Sequence, residues 1–486
     1  MPLTYPALLD ELRRADLLCS APAAAPDPSG ITVDSRTIQR GMFYLAQRGS
    51  QADGHRFVPD AVRRGAGAVL VETPQQSGVA EILVRDGHRA ALVLGSAWYG
   101  HPARALTLIG VTGTNGKTTT TGLIRHLFNQ EKTAGSIGTL GAFDGHERAI
   151  PSTAGSLTTP GPVDLQATLS AMRERGVTHV AMEASSHSLD QRRLDGLTFA
   201  AGVFTNLTRD HLDYHGTMES YLSSKLRLSS LLGQSGVEIV NVDDTAWGVM
   251  PMRSPRLTFG LHSLADVRAS GLVLDAAGSR FQLSGRFGSA EVRLPLLGDF
   301  NVANALAAAA TALALGQSIA RVAQELSAAP QVPGRMERIS ERPCIVLRDY
   351  AHTPDALERA LTSLRPLTAG RLIVVFGCGG DRDRGKRALM GRIAAEHSHL
   401  AIVTSDNPRT ENPESIIDDI EPGMGTAPHL RISDRLKAIE AALNEGKTGD
   451  TILLAGKGHE NYQIIGSEKI DFDEREIVQR LVRGDR

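Results

Sequence analysis

The stretch from Leu106 to Phe128, LTLIGVTGTNGKTTTTGLIRHLF, constrains this chain more than any other. Leu106 to Val111 is apolar, as a buried parallel strand requires. From Thr118 onward, Leu123, Ile124 and Leu127 recur at helical spacing. Between them, Gly113 and Gly116 let the backbone turn so that successive N–H groups and the positive end of the next helix face an anion. Lys117 then reaches the β and γ phosphates of a nucleotide, and the Thr118 hydroxyl reaches Mg²⁺. The strict G-x-x-x-x-G-K-[ST] spacing is missed, because Val111 occupies its first glycine position and the nearest glycines are Gly110 and Gly113. A plain glycine turn has no use for the Lys-Thr pair, which favours the nucleotide reading.

A chain of 486 residues is long enough for about three domains. Its 52 Lys and Arg nearly cancel its 54 Asp and Glu, so it carries no basic field for nucleic acid or anionic membranes. Small-molecule partners and a monomer are expected. The first residues, MPLTYPALLDELRRADLL, include acidic side chains at helical spacing, unlike a signal peptide. No apolar run reaches membrane-spanning length. Val302 to Leu315 comes nearest but contains Asn304. Cys19, Cys344 and Cys378 lack metal-ligand spacing and read as reduced packing residues of a cytoplasmic protein.

Along the chain we expect an α/β fold in three parts, over residues 1–103, 104–335 and 336–486. The first opens with a helix from Tyr5 to Leu18. Strands follow around Ile31–Val33 and Met42–Leu45, with Asp34, Ser35 and Arg36 at the turn between them. The central part is a doubly wound parallel sheet built on the phosphate loop. There the strand Val177 to Met182 ends at Glu183, where such a sheet places its Mg²⁺-side acid. Ser186 beside His187 lacks the G-x-S-x-G elbow of a serine hydrolase. Asn206, Asp210, His211, Asp213 and His215 form a polar loop suited to substrate or metal. Lys225, by spacing alone, is an ordinary exposed helix lysine. Asn301 is the expected N-cap of a helix that Gly316 stops.

The linker PQVPGRMER leads to a third part of alternating strands and helices, with Asp349 and His352 after one strand and a helix capped by Thr353 with Pro354 first. Gly377, Gly379 and Gly380 imitate a dinucleotide fingerprint, but Arg382 stands where its third glycine belongs.

The motifs GVTGTNGKTTT, MEASSH, NLTRDHLDYHG, GDFNVANALAA, PGRMER, DYAHTPDAL, FGCGGDRDRGKR, SDNPRTENPE and AGKGHENYQ, in this order, resemble those of the Mur ligases across essentially the whole chain. The resemblance implies a uridine-nucleotide-binding α/β domain, a central P-loop ATPase-like domain and a C-terminal Rossmann-like domain that takes an amino acid. It implies an ATP-dependent amide ligase of peptidoglycan biosynthesis: the γ-phosphate passes to the D-glutamate γ-carboxylate of a UDP-muramoyl dipeptide, and an amine attacks the acyl phosphate.

The same resemblance assigns residues. Gly113, Thr114, Asn115, Gly116, Lys117, Thr118, Thr119, Asn301, Asn304, Arg335, Asp349 and His352 would face ATP, with Asn304 at the base and Asp349 at the ribose. Thr118, Glu183, His211 and Lys225, the last as a carbamate, would hold Mg²⁺, and Lys117, Glu183, His211 and Lys225 would carry the catalysis. Val33, Ser35, Ser50, Gln51 and Ala52 would contact the uridine nucleotide. Thr158, Thr159, Ser185, Gln191 and Arg193 would contact the muramoyl dipeptide.

For the incoming amino acid it points to Arg382, Asp406, Asn407, Pro408, Arg409, Gly456 and Glu460. Arginines for a distal carboxylate and acids for a distal ammonium suit meso-diaminopimelate. Lysine would leave a buried arginine unpaired. The alternatives are a lysine-adding or other amide ligase of the superfamily, or a nucleotide-dependent switch.

Overall fold

The computed structural model describes residues 3–49, 52–151, 157–261 and 264–484. Three large sheets follow one another along the chain. The first orders its strands Leu18–Ser20, Ala80–Val84, Ala68–Val71, Phe43–Leu45 and Ile31–Thr32. Only the first pair is antiparallel. The helix Tyr5–Arg14, capped by Thr4, stops short of the expected Leu18, because Asp16 takes a positive φ of 55° and Leu18 enters the edge strand.

The central sheet has ten strands. The strand Thr107–Thr112 lies between Phe199–Phe204 and His179–Glu183, parallel to both. Helices Lys117–Phe128 and Asp299–Ala314 share the apolar cluster on one face, through Leu123, Leu127, Ala305 and Ala309. Helices Pro162–Glu174 and Met218–Ser230 cover the other through Leu165, Leu169 and Leu228. Both faces of the phosphate-loop strand are therefore buried, which explains its unbroken apolar run. Past Arg256–Gly260 the sheet continues into Val267–Asp275, then the antiparallel strands Gly278–Gly285 and Gly288–Leu294.

Asn301 is not the N-cap of the Asp299–Ala314 helix. The chain enters through Gly298 at φ 88°, and the Asn301 side chain, already inside, donates to the Leu297 carbonyl at 2.8 Å. Gly316, at φ 94°, follows the helix end as expected.

The third sheet runs Glu337–Ser340, Ile345–Asp349, Thr451–Ala455, Leu372–Phe376, Leu400–Val403, His429–Arg431, parallel except at its first strand. Its strands end in Asp349 to His352, Gly377 to Arg382, Asp406 to Arg409 and Gly456 to Glu460, the crevice where open α/β sheets bind ligands. After Phe376 the chain loops to Lys386 before the next helix, so Gly377 to Gly380 form no dinucleotide turn. Cys344 and Cys378 are buried packing residues, whereas Cys19 is exposed on its edge strand. Among the described residues no helix is long and apolar enough to cross a membrane.

Candidate active site

The phosphate loop is held from behind. Gly113 has φ 150°, and a Cβ there would fall on Thr205 Oγ1; Gly116 has φ 83°, and a Cβ there would fall on Asn304 Oδ1. Both glycines are thus required by close approach as well as by backbone conformation. The polar loop after Phe204 braces the turn. Thr114 N–H donates to the Asn206 carbonyl at 2.8 Å, Asn115 N–H to Asn206 Oδ1 at 2.8 Å, and Thr205 Oγ1 to the Asn115 carbonyl at 2.7 Å. Thr205, Thr208 and Tyr221 escape the sequence reading. Their only signal was a run of polar residues after a buried strand.

Two lysines converge on the loop. Lys117 Nζ donates to the carbonyls of Gly113 and Thr114 at 3.0 and 2.7 Å. Lys225 Nζ donates to the same Gly113 carbonyl at 2.6 Å and lies 4.3 Å from the Tyr221 ring centroid. Lys225 is not the exposed helix lysine its spacing predicts: it is 1% exposed. Burial, and then the neighbouring Lys117 charge, hold its pKa well below the ordinary lysine value. Burial likewise lowers Lys117.

Glu183 ends its strand with Oε1 accepting from Thr139 N–H at 2.9 Å and Oε2 from Thr139 Oγ1 at 3.1 Å. His211 sits at φ 53° and packs edge-on to His187 at 4.9 Å. Burial lowers the His211 pKa, with Lys117 and Lys225 adding to the effect. Ser186 pairs with His215 Nε2 at 3.0 Å, and His215 also meets Ser224.

One cavity of about 1110 Å³ is lined by Thr118, Glu183, His211 and Lys225 together. The Thr118 hydroxyl and the Glu183 carboxylate are hard oxygen donors of the kind Mg²⁺ takes, whereas the His211 imidazole is a softer one. Among the described residues no three His, Cys, Asp or Glu side chains are grouped to hold a metal by themselves. The donor set therefore fits a cation that completes its shell with phosphate oxygens and water.

The cavity wall also includes Thr114 to Thr119, Thr158, Thr159, Ser185, Arg193, Asn304, Arg335, Asp349 and His352. Arg193 Nη1 donates to the Thr159 carbonyl at 2.9 Å and Nε to Gln191 Oε1 at 3.0 Å. Thr159 Oγ1 donates to the Glu183 carbonyl at 2.8 Å, and Thr158 Oγ1 lies 3.3 Å from Thr139 Oγ1. Asn304 faces the phosphate loop: its Oδ1 accepts from Thr120 Oγ1 at 3.3 Å. Arg335 donates to Thr118 Oγ1 at 3.0 Å and stacks on Tyr350. Burial raises the Asp349 pKa to about 6 and lowers that of His352 to about 4.

Val33, Ser35 and Ala52 belong to the first sheet's surroundings and do not line this cavity. Ser50 and Gln51 lie outside the described residues. Arg382, Asp406, Asn407, Pro408, Arg409, Gly456 and Glu460 are also absent from its wall. They gather at the crevice of the third sheet, where Arg382 is exposed and lies with Arg409 against Gly379. There Asn407 Nδ2 donates to Glu460 Oε2 at 2.9 Å, and the buried Lys457 donates to Asn407 Oδ1 and Glu460 Oε2 at 3.1 and 3.3 Å. Arg409, at φ 52°, donates from Nη1 to the Gly380 carbonyl at 2.8 Å. Asp406 Oδ2 is buried without a hydrogen-bond partner, against Gly456, where a Cβ would meet it at 2.6 Å.

Three family models match the chain: the Mur ligase family catalytic domain over residues 28–97, the Mur ligase middle domain over 111–312 and the Mur ligase glutamate ligase domain over 334–458. The UDP-N-acetylmuramoyl-L-alanyl-D-glutamate-2,6-diaminopimelate ligase of Geobacillus kaustophilus is 43% identical over 470 residues, covering 94% of this chain and 95% of its own. The enzyme of that name from Gloeobacter violaceus is 46% identical over 466 residues, covering 94% of each. A solved structure of a ligase with the same name superposes with a TM-score of 0.67 at 34% identity, over 100% of this chain and 99% of the other. The MurF ligase of Thermotoga maritima, solved with ADP, shares the fold at a TM-score of 0.65 and 17% identity, over 94% and 97% of the two chains.

Proposed function

This chain belongs to the Mur ligase family, and we propose that it joins meso-2,6-diaminopimelate to the D-glutamate γ-carboxylate of UDP-N-acetylmuramoyl-L-alanyl-D-glutamate at the expense of ATP. Residues 1–103 take the uridine nucleotide through Val33, Ser35, Ser50, Gln51 and Ala52, residues 104–335 take ATP, and residues 336–486 take the amino acid.

A carboxylate is a poor electrophile, so the reaction needs its activation as an acyl phosphate. Lys117 and the N–H groups from Gly116 to Thr119 orient the triphosphate, and Thr158, Thr159, Ser185, Gln191 and Arg193 orient the dipeptide. Thr118, Glu183, His211 and Lys225 would hold Mg²⁺. Bound Mg²⁺ supplies neutralisation of phosphoryl charge. Lys225, buried beside Lys117, favours the neutral amine, the form that adds carbon dioxide to give a carbamate. That modification replaces a cation with an anion beside the cation site.

The observation that carries the diaminopimelate reading is the buried, unpartnered Asp406 Oδ2, in a crevice where Glu460 and Arg409 also lie within electrostatic reach of Tyr462. An ammonium satisfies the carboxylate and a distal carboxylate satisfies the guanidinium. The test is phosphate release from ATP with the UDP-muramoyl dipeptide, in parallel with meso-diaminopimelate, L-lysine or no amino acid. Release and tripeptide with diaminopimelate alone are expected; equal turnover of lysine would overturn the substrate, and no release with either would overturn the ligase.

A further inference from the structure

The helix that follows the first parallel strand of the third sheet touches the phosphate loop through a carboxylate of the DYAHTPDAL motif to which no role is assigned above. Asp355 Oδ2 accepts from Asn115 Nδ2 at 2.9 Å and from Thr208 Oγ1 at 3.3 Å, while Oδ1 accepts from Arg359 Nε at 3.1 Å. Both central partners are themselves fixed. The Asn115 N–H donates to Asn206 Oδ1 at 2.8 Å, and its carbonyl accepts from Thr205 Oγ1 at 2.7 Å. Thr208 N–H donates to Thr114 Oγ1 at 3.0 Å.

On the other side, Asp355 lies in the first turn of the helix Pro354–Leu364, capped by Thr353, directly after the Asp349 to His352 loop of the third sheet. A carboxylate in the first turn is favoured by the helix dipole. We infer that Asp355 is the positioning residue that sets the amino-acid-bearing part of the chain against the phosphate loop, so that the incoming amine meets the acyl phosphate in register. The inference rests on the ligase reading, since only a reaction divided between two sheets needs that alignment. Small misplacements of reactants are costly because near-attack geometry is narrow. Loss of Asp355 therefore slows amine attack and spares nucleotide binding.

The test separates the half reactions. In Asp355→Ala, amide formation falls about tenfold or more, while acyl phosphate formation without amino acid, trapped by borohydride, and nucleotide affinity stay at parent values. Asp355→Asn, which retains an acceptor oxygen for Asn115, recovers part of the rate. Asp355→Glu, which keeps the helix-end charge but displaces the oxygens, does not. In a double-mutant cycle, Asn115→Ala and Asp355→Ala are less than additive. In solution scattering, Asp355→Ala and Asp355→Asn have larger and parent-like radii of gyration, respectively. Parent-like amide formation in Asp355→Ala, full activity in Asp355→Glu, or strict additivity overturns the role. If the parent chain forms no amide with any amino acid, the ligase reading fails instead. The scattering comparison then decides the contact alone, and an unchanged radius in Asp355→Ala overturns it.

Discussion

Arg335, in the segment that joins the central and third sheets, donates from Nη2 to Thr118 Oγ1 at 3.0 Å while its guanidinium lies 4.8 Å from the Tyr350 ring centroid. One residue earlier, Gly334 is tied to the third sheet, donating from N–H to Glu337 Oε2 at 2.7 Å and accepting from Tyr350 N–H at 3.0 Å. The hinge thus carries a cation to the mouth of the phosphate loop. Arg335→Ala should weaken ATP binding about tenfold, the value of one charge-assisted hydrogen bond, with little change in thermal midpoint. Titration with a non-hydrolysable ATP analogue measures it.

Gly116→Ala meets two obstacles at once: a backbone at φ 83° and the Asn304 amide where its Cβ would sit. Strain of this kind costs on the order of 2 kcal/mol. It should appear as lower nucleotide affinity and a lower melting temperature, with Asn304→Ala restoring part of the melting temperature.

The strand, glycine turn and helix around Lys117 were legible because both faces of the strand and one stripe of the helix are apolar, and the Thr353-Pro354 helix start because its cap is local. The antiparallel strands Gly278–Gly285 and Gly288–Leu294 alternate buried and exposed residues as half-buried strands do, but alternation does not reveal that they extend the central sheet through Val267–Asp275. Lys225 read as a surface lysine because helical spacing alone does not reveal which face the polar loop of Asn206 to His211 will cover. Asp355 has no reading of its own in the sequence beyond its place in the DYAHTPDAL motif. Its partners Asn115 and Thr208 lie far away in sequence, and only the fold brings them together.

Asp144 is fully buried and accepts from the His146 and Arg148 N–H groups, Arg148 Nε and Arg175 Nη1. Although burial alone would raise its pKa, these donors together hold it at about 2, below the ordinary 3.8. A depressed carboxyl pKa stabilises the fold above the unfolded value, and that contribution is lost as pH falls through the folded value. Asp144→Asn should cost about 2 kcal/mol at neutral pH. The gap to the parent should close between about pH 4 and pH 2, as followed by urea unfolding across that range.

Arg409→Ala removes the guanidinium proposed for the distal carboxylate and leaves the phosphate loop untouched. Diaminopimelate kcat/KM should fall about a hundredfold or more, with nucleotide affinity unchanged and the preference over L-lysine largely erased. Competition between the two amino acids in one reaction reads the preference directly. A retained preference would move the specificity to other residues.

Lys225 and Lys117 share one acceptor, the Gly113 carbonyl, at 2.6 and 3.0 Å. Two buried ammonium groups on one oxygen repel each other. Burial first, and the Lys117 charge second, depress the Lys225 pKa. In the reading proposed above, the neutral Lys225 amine would add carbon dioxide and release a proton, placing a carbamate anion beside Lys117 and leaving Lys117 as the loop's cation. Lys225→Ala should therefore lower kcat about a hundredfold or more, a loss typical of removing a preorganised electrostatic group. Lys225→Glu, which restores an anion near the same place, should recover part of the rate, whereas Lys225→Arg, which restores only the cation, should not. Intact-protein mass spectrometry of the parent in bicarbonate at mildly alkaline pH should show an increment of one carbon dioxide that all three Lys225 variants lack. Full activity of Lys225→Arg would sink the carbamate and leave Lys225 as a brace for the Gly113 carbonyl.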